Sequence, residues 1–173
     1  LEGSVSHSGS TIQWLRDNLS IIESAHDSET LARTTKSNEG LYLVPAFAGL
    51  FAPHWRSDAR GCIVGMTTRH HKGHICRAAL EAAAYQTKEV FDAIVEDSNI
   101  QVQSLKVDGG GSHNRLLMQF QADMIQAPVV IPLVLETTSM GAAFAAGLAV
   151  GVWRDQEEIQ KLWAVADVFE PQM

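Results

Sequence analysis

Val107-Asp108-Gly109-Gly110-Gly111-Ser112-His113-Asn114 joins two different hydrophobic patterns. Before it, Ser104-Leu105-Lys106-Val107-Asp108 reads as a short strand; after it, Leu117, Phe120 and Met124 mark one face of a helix. A strand that runs into consecutive glycines and then into a helix leaves main-chain amides without partners. The missing β-carbons also let a ligand touch the backbone, and a helix start favours negative charge. Such a corner can cradle a phosphate or a nucleotide, and it can also be a plain turn. It fits neither G-x-G-x-x-G nor G-x-x-x-x-G-K-[ST], so any nucleotide bound here uses another fold. Asp108 has three roles open to it: orienting the loop, contacting a metal-bound water, or accepting backbone hydrogen bonds.

Outward from this corner, strands and helices alternate, which predicts an α/β architecture. Ile12, Leu15, Leu19 and Ile22 share a helical face, with Ser8, Gly9 and Ser10 available at its N-terminus. Residues 27–39 are polar and hold at most a short helix. Leu41 to Val44 reads as a strand that Pro45 ends. An aromatic loop, residues 49–60, precedes a second strand, residues 61–66. A long helix from about His74 to Glu96 then buries Ile75, Ala79, Ala82, Ala83, Val90 and Ile94. Val129 to Ile131 forms a strand between two prolines, and Thr138 is placed to cap a last Ala/Gly-rich helix reaching about Val150. No composition shift marks a boundary, so residues 1–173 read as one domain.

The 46% hydrophobic and 19% charged content is that of a globular chain. A net charge of −7 argues against general nucleic-acid or anionic-membrane binding, which rely on a basic field. Cys62 and Cys76 have no metal spacing and are expected to be reduced thiols. His70, His71 and His74 lack the carboxylate or thiolate that would complete a ligand set, and read as loop and helix-start residues. Ser10, Ser112 and His113 form no hydrolase elbow, because G-x-S-x-G is absent.

A resemblance sharpens the reading. Gly61-Cys62-Ile63-Val64-Gly65-Met66, then seven residues, then His74-Ile75-Cys76-Arg77-Ala78-Ala79-Leu80-Glu81 resembles the second signature of the FGGY carbohydrate kinase family. Ile12-Gln13-Trp14-Leu15-Arg16-Asp17, Val44-Pro45-Ala46-Phe47-Ala48-Gly49-Leu50 and Glu136-Thr137-Thr138-Ser139-Met140-Gly141 are similar to the branch of that family that phosphorylates glycerol. The resemblance implies an actin-like ATPase fold with ribonuclease-H-like topology, of which this chain is the C-terminal, nucleotide-binding domain lacking its opening strands. It implies γ-phosphoryl transfer from ATP, with Mg²⁺, to glycerol, giving sn-glycerol 3-phosphate. By the same resemblance Gly9, Gln13, Gly110 and Asn114 contact ATP. The acceptor site and the aspartate base fall outside these residues, so no catalytic or metal-ligating residue is expected within them. The 173 residues alone are expected to be inactive. A cytoplasmic homo-oligomer follows from the family too. Other sugar kinases of the family, or a non-catalytic nucleotide-binding module of the same fold, stand as alternatives. His113 departs from the small residues usual at its position and can crowd the nucleotide, stack on it or face solvent.

Overall fold

The computed structural model describes residues 1–173. Its centre is one helix, α3, spanning Lys72–Ser98. The sequence face predicted for this helix holds in part: Ala79, Ala82 and Ala83 are buried, whereas Ile75, Val90 and Ile94 are half-buried. From Gly73 to Ala84 the helix is buried almost all round, including Cys76, Ala78, Leu80 and Ala84. Small side chains explain this: alanines and Gly73 allow neighbours to approach from several directions at once. Beyond Ala84 no residue of the helix is fully buried.

Around α3 pack α1 (Gly9–Asp17), α2 (Ala25–Ala32) and α4 (Arg115–Ile125). The predicted first helix is shorter than its periodicity suggests. It stops at Asp17, Ser20 turns the chain with φ +50°, and Leu19 is exposed while Leu15 and Ile22 remain in the core. The polar stretch after it does hold a short helix. Ser24 and Asp27 close a reciprocal capping box at the start of α2, each side chain accepting an amide of the other's turn.

Strands β1 (Tyr42–Val44) and β2 (Cys62–Val64) pair antiparallel, Leu43 opposite Ile63, and β1 rests on α3. Gly65 ends β2 with φ +85°, and a β-carbon there would lie 2.0 Å from the carbonyl oxygen of Gly40. The second sheet has the order β3 (Leu105–Lys106), β4 (Val129–Pro132), β5 (Val165–Phe169). β3 runs parallel to β4, and β5 runs antiparallel to it. α4 lies against β4, so the glycine corner between β3 and α4 sits where sheet and helix layers meet.

His71, not His74, is the residue that caps α3: its Nδ1 accepts the Gly73 amide at 3.1 Å, while His74 reaches back to accept the His71 amide at 3.2 Å. The last Ala/Gly-rich helix, α5, spans Thr137–Ala149 and starts from Glu136, so Thr138 lies inside its first turn and caps nothing. Only Gly147 of α5 is buried, under the Trp153 ring. A five-residue helix, α6 (Gln156–Gln160), and strand β5 complete the fold. Neither was predicted. β5 alternates weakly and exposes Val165 and Val168, so its sequence lacks a buried-strand signature.

Candidate functional site

A cavity of about 800 Å³ opens between α1, α2, α3 and the glycine corner. Its floor is apolar. Ala79, Leu80 and Ala83 of α3 meet Ile12 of α1 and Leu117 of α4. Its rim is polar, and the four residues singled out in the sequence all lie on it: Gly9 and Gln13 from α1, Gly110 and Asn114 from the glycine corner. These pairs are about a hundred residues apart in the chain and meet only because α1 and α4 both pack on α3.

The glycine corner differs from the expected bare helix start. Gly109 takes φ +75°, residues Gly110–His113 form a single 3₁₀ turn, and Asn114 then caps α4. The Gly109 amide donates to Leu135, and the Ser112 amide and hydroxyl both donate to the Gly109 carbonyl. The amides of Gly110 and Gly111 find no acceptor in the chain. A β-carbon on Gly9, Gly110 or Gly111 would meet nothing within 4 Å. Packing therefore places no demand for glycine at these three positions, and the space in front of them is open.

The start of α4, by contrast, is closed. Glu29 of α2 accepts the Arg115 amide at 3.1 Å and the Leu116 amide at 3.3 Å. Asn114 Oδ1 accepts the Leu117 amide at 2.9 Å. The amides that the corner was expected to present at the helix end are thus satisfied by side chains, and the free donors lie one turn earlier, at Gly110 and Gly111. With its oxygen committed, Asn114 keeps only its NH₂ for a ligand.

Gln13 is exposed and makes no side-chain hydrogen bond, leaving both donor and acceptor for a ligand. Arg16 lines the cavity while Asp17 holds its guanidinium through two bonds, at 2.6 and 2.9 Å. That contact pushes Arg16 up and holds Asp17 below the ordinary carboxylate range. His113, exposed, lines the cavity from the glycine corner, and His26 lines it from α2. Asp108 is exposed, lies off the cavity wall, and takes part in no hydrogen bond or ion pair. Of its three roles, accepting backbone hydrogen bonds is removed, and with it any orienting of the loop through such bonds.

The α2 contribution, Ala25 to Glu29, was invisible in the sequence. A polar helix reads as surface, and nothing local says that Glu29 turns inward to a helix start 86 residues later.

Residues 1–150 match the family described as the FGGY family of carbohydrate kinases, C-terminal domain. The chain belongs to that family. Among curated FGGY relatives it is 57% identical to a glycerol kinase of Clavibacter michiganensis subsp. michiganensis over all of this chain and 34% of that protein. It is 58% identical to a glycerol kinase of Saccharopolyspora erythraea over all of this chain and 35% of that protein. The chain spans about a third of the length of the relatives it matches. A crystal structure of Plasmodium falciparum glycerol kinase with ADP superposes with a TM-score of 0.88 at 37% identity, covering 99% of this chain and 34% of that one. The fold is that of the FGGY kinases, the actin-like ATPase class. No helix is long and apolar enough to cross a membrane.

Proposed function

We propose that this chain forms the nucleotide half of an ATP-dependent glycerol kinase, and that Gly9, Gln13, Gly110 and Asn114 contact the ATP. The reading rests on one observation: these four residues converge on a single cavity, and the Gly110 and Gly111 amides on its wall are unpartnered. The similarity to glycerol kinases, one of them solved with ADP, supports nucleotide and acceptor alike.

Phosphoryl transfer depends on positioning and on stabilising charge across the phosphates. Here the Gly110 and Gly111 amides donate to phosphate oxygens that the absent β-carbons allow to come close. The Asn114 NH₂ donates to an acceptor of the nucleoside, and the floor of Ala79, Leu80, Ala83, Ile12 and Leu117 takes the flat face of the base out of water. The only carboxylate on the cavity wall is Glu29, and both its oxygens are already engaged. The proton of the glycerol hydroxyl is therefore taken by a group outside this cavity, and these residues by themselves do not turn over glycerol.

Mg²⁺ binds through one or two carboxylates together with substrate phosphates. Asp108, free of partners beside the Gly110–Gly111 turn but off the cavity wall, would meet such an ion through a bound water. The ion when bound neutralises charge on the phosphate oxygens. We also infer a cytoplasmic homo-oligomer; the exposed Trp55 beside Phe51 supplies an aromatic surface for self-association.

The test is calorimetric titration of ADP into the full-length gene product and its Gly110→Val variant, with glycerol-dependent ATP consumption as the companion assay. The variant is expected to lose ADP binding while keeping its melting temperature. Unchanged ADP affinity removes the corner from the site, and turnover of a sugar in place of glycerol sinks the acceptor assignment.

A further inference from the structure

We propose that Glu29 is a positioning residue of the nucleotide site, acting as a built-in anion that occupies the start of α4 and keeps phosphate off it. The proposal rests on the reading of the cavity as a nucleotide site. A helix start with free amides binds phosphate readily. At the glycine corner a phosphate has two places to go on the cavity wall: the start of α4, or the 3₁₀ turn just before it. A nucleotide held at the first would be shifted by about one turn relative to the second.

Glu29 removes the choice. Its side chain is 12% exposed, and its two oxygens take the Arg115 and Leu116 amides. Asn114 takes the Leu117 amide, and the Asn114 carbonyl takes the Met118 amide at 3.0 Å. Every one of the four amides that open α4 is thereby filled by protein. Arg33, one turn along α2, donates to Glu29 Oε1 at 2.8 and 2.6 Å, which fixes the carboxylate and supplies its counter-charge. At this corner the amides left open are those of Gly110 and Gly111. A carboxylate in place of a ligand anion does more than brace two helices: it fills the donors that a phosphate would need there and leaves the uncharged nucleoside as the part of the ligand that can lie against α4.

A bracing role and an anion-excluding role separate in one measurement. In the full-length gene product, Glu29→Gln keeps the side-chain volume and one acceptor but drops the charge, and Glu29→Ala empties the helix start. Both are assayed for KM of ATP, KM of glycerol, kcat, and inhibition by inorganic phosphate. Glu29→Gln is expected to raise KM for ATP about tenfold, with KM for glycerol unchanged. Glu29→Ala is expected to gain inhibition by inorganic phosphate, competitive with ATP, that the parent lacks. A purely structural role lowers the melting temperature and creates no such inhibition. Should Glu29→Ala fail to fold, Glu29→Gln alone carries the test, through weaker phosphate inhibition and the split between the two KM values. ATP KM within about twofold of the parent and no new phosphate inhibition overturn the proposal. Gly110→Val, measured alongside, separates the two levels. If it leaves ATP affinity intact, the nucleotide reading falls and this proposal with it. If it abolishes ATP binding while the Glu29 variants behave as the parent, only the role of Glu29 falls.

Discussion

The side-chain oxygen of Asn114 accepts the amide of Leu117 at 2.9 Å, so one residue both starts α4 and faces the cavity. Its two ends can be separated by substitution. Asn114→Asp keeps the capping oxygen and loses the NH₂; melting temperature should hold while ADP affinity falls about tenfold. Asn114→Ala loses both, so affinity falls as far and stability drops by about 1 kcal/mol as well. Thermal melts beside ADP titrations check the pair. Equal affinity in parent and Asp variant would show that the NH₂ meets no ligand.

Gly109 and Gly110 are neighbours with opposite reasons for being glycine. Gly109 holds φ +75°, a conformation costly to an L side chain, whereas a β-carbon on Gly110 meets nothing within 4 Å and its φ is not positive. Gly109→Ala is expected to lose about 1 kcal/mol of stability, and Gly110→Ala close to none. Nucleotide affinity should show the reverse sensitivity at Gly110. Urea denaturation of the two variants decides; equal stability losses would mean that the Gly110 turn is held by packing and not left open for a ligand.

Gly65 is the position where the chain tolerates least. Its φ is +85°, and an added β-carbon would lie 2.0 Å from the Gly40 carbonyl oxygen, a main-chain atom that cannot rotate away. Gly65→Ala should cost about 3 kcal/mol or more, by separating β2 from the turn before β1. A denaturation midpoint within error of the parent would contradict the close backbone approach.

Much of this was legible in the residues. Apolar spacing located α3 and α4, prolines bounded β4, and the glycine run at 109–111 marked the corner that lies on the cavity. Three kinds of feature were not. Leu19 kept a helical spacing beyond the end of α1, because periodicity does not register the turn at Ser20. Strand β5 exposes both its valines, so it pairs without the pattern of a buried strand. Glu29 is a charged residue on a polar helix, and its value lies in a hydrogen bond across 86 residues. Composition and period report burial; they do not report which backbone amide a side chain will find.

The two cysteines should differ sharply in reactivity. Cys62 is exposed on β2, whereas Cys76 is fully buried in α3, where burial pushes its thiol up to about 11. Only the thiolate reacts, so a disulfide-exchange reagent at pH 8 should titrate one thiol per folded chain and two in denaturant. The sign of the linkage follows. A thiol harder to ionise in the fold contributes fully below its unfolded pKa, and that contribution is lost as pH rises from there through about 11. Two thiols reacting at equal rates in the folded chain would refute the burial of Cys76.

Acid should act on the cavity through the start of α2. The Ser24 amide donates to the Asp27 carboxylate at 2.8 Å, and the Ser24 hydroxyl and the Glu23 amide add to it, which holds Asp27 below the ordinary carboxylate range. A carboxyl depressed in the fold stabilises it above the unfolded pKa of about 3.9, and that contribution is lost as pH falls through the folded value. Asp27→Asn removes this charge, so the variant should be less stable than the parent at pH 6, and the gap should close as pH falls below about 4. Because Glu29 sits on the same short helix, fraying there also releases the start of α4, and phosphate inhibition should rise in the Asp27→Asn variant at neutral pH. Parallel stability curves for parent and variant across that pH range would show that the Ser24–Asp27 box does not hold α2 in place.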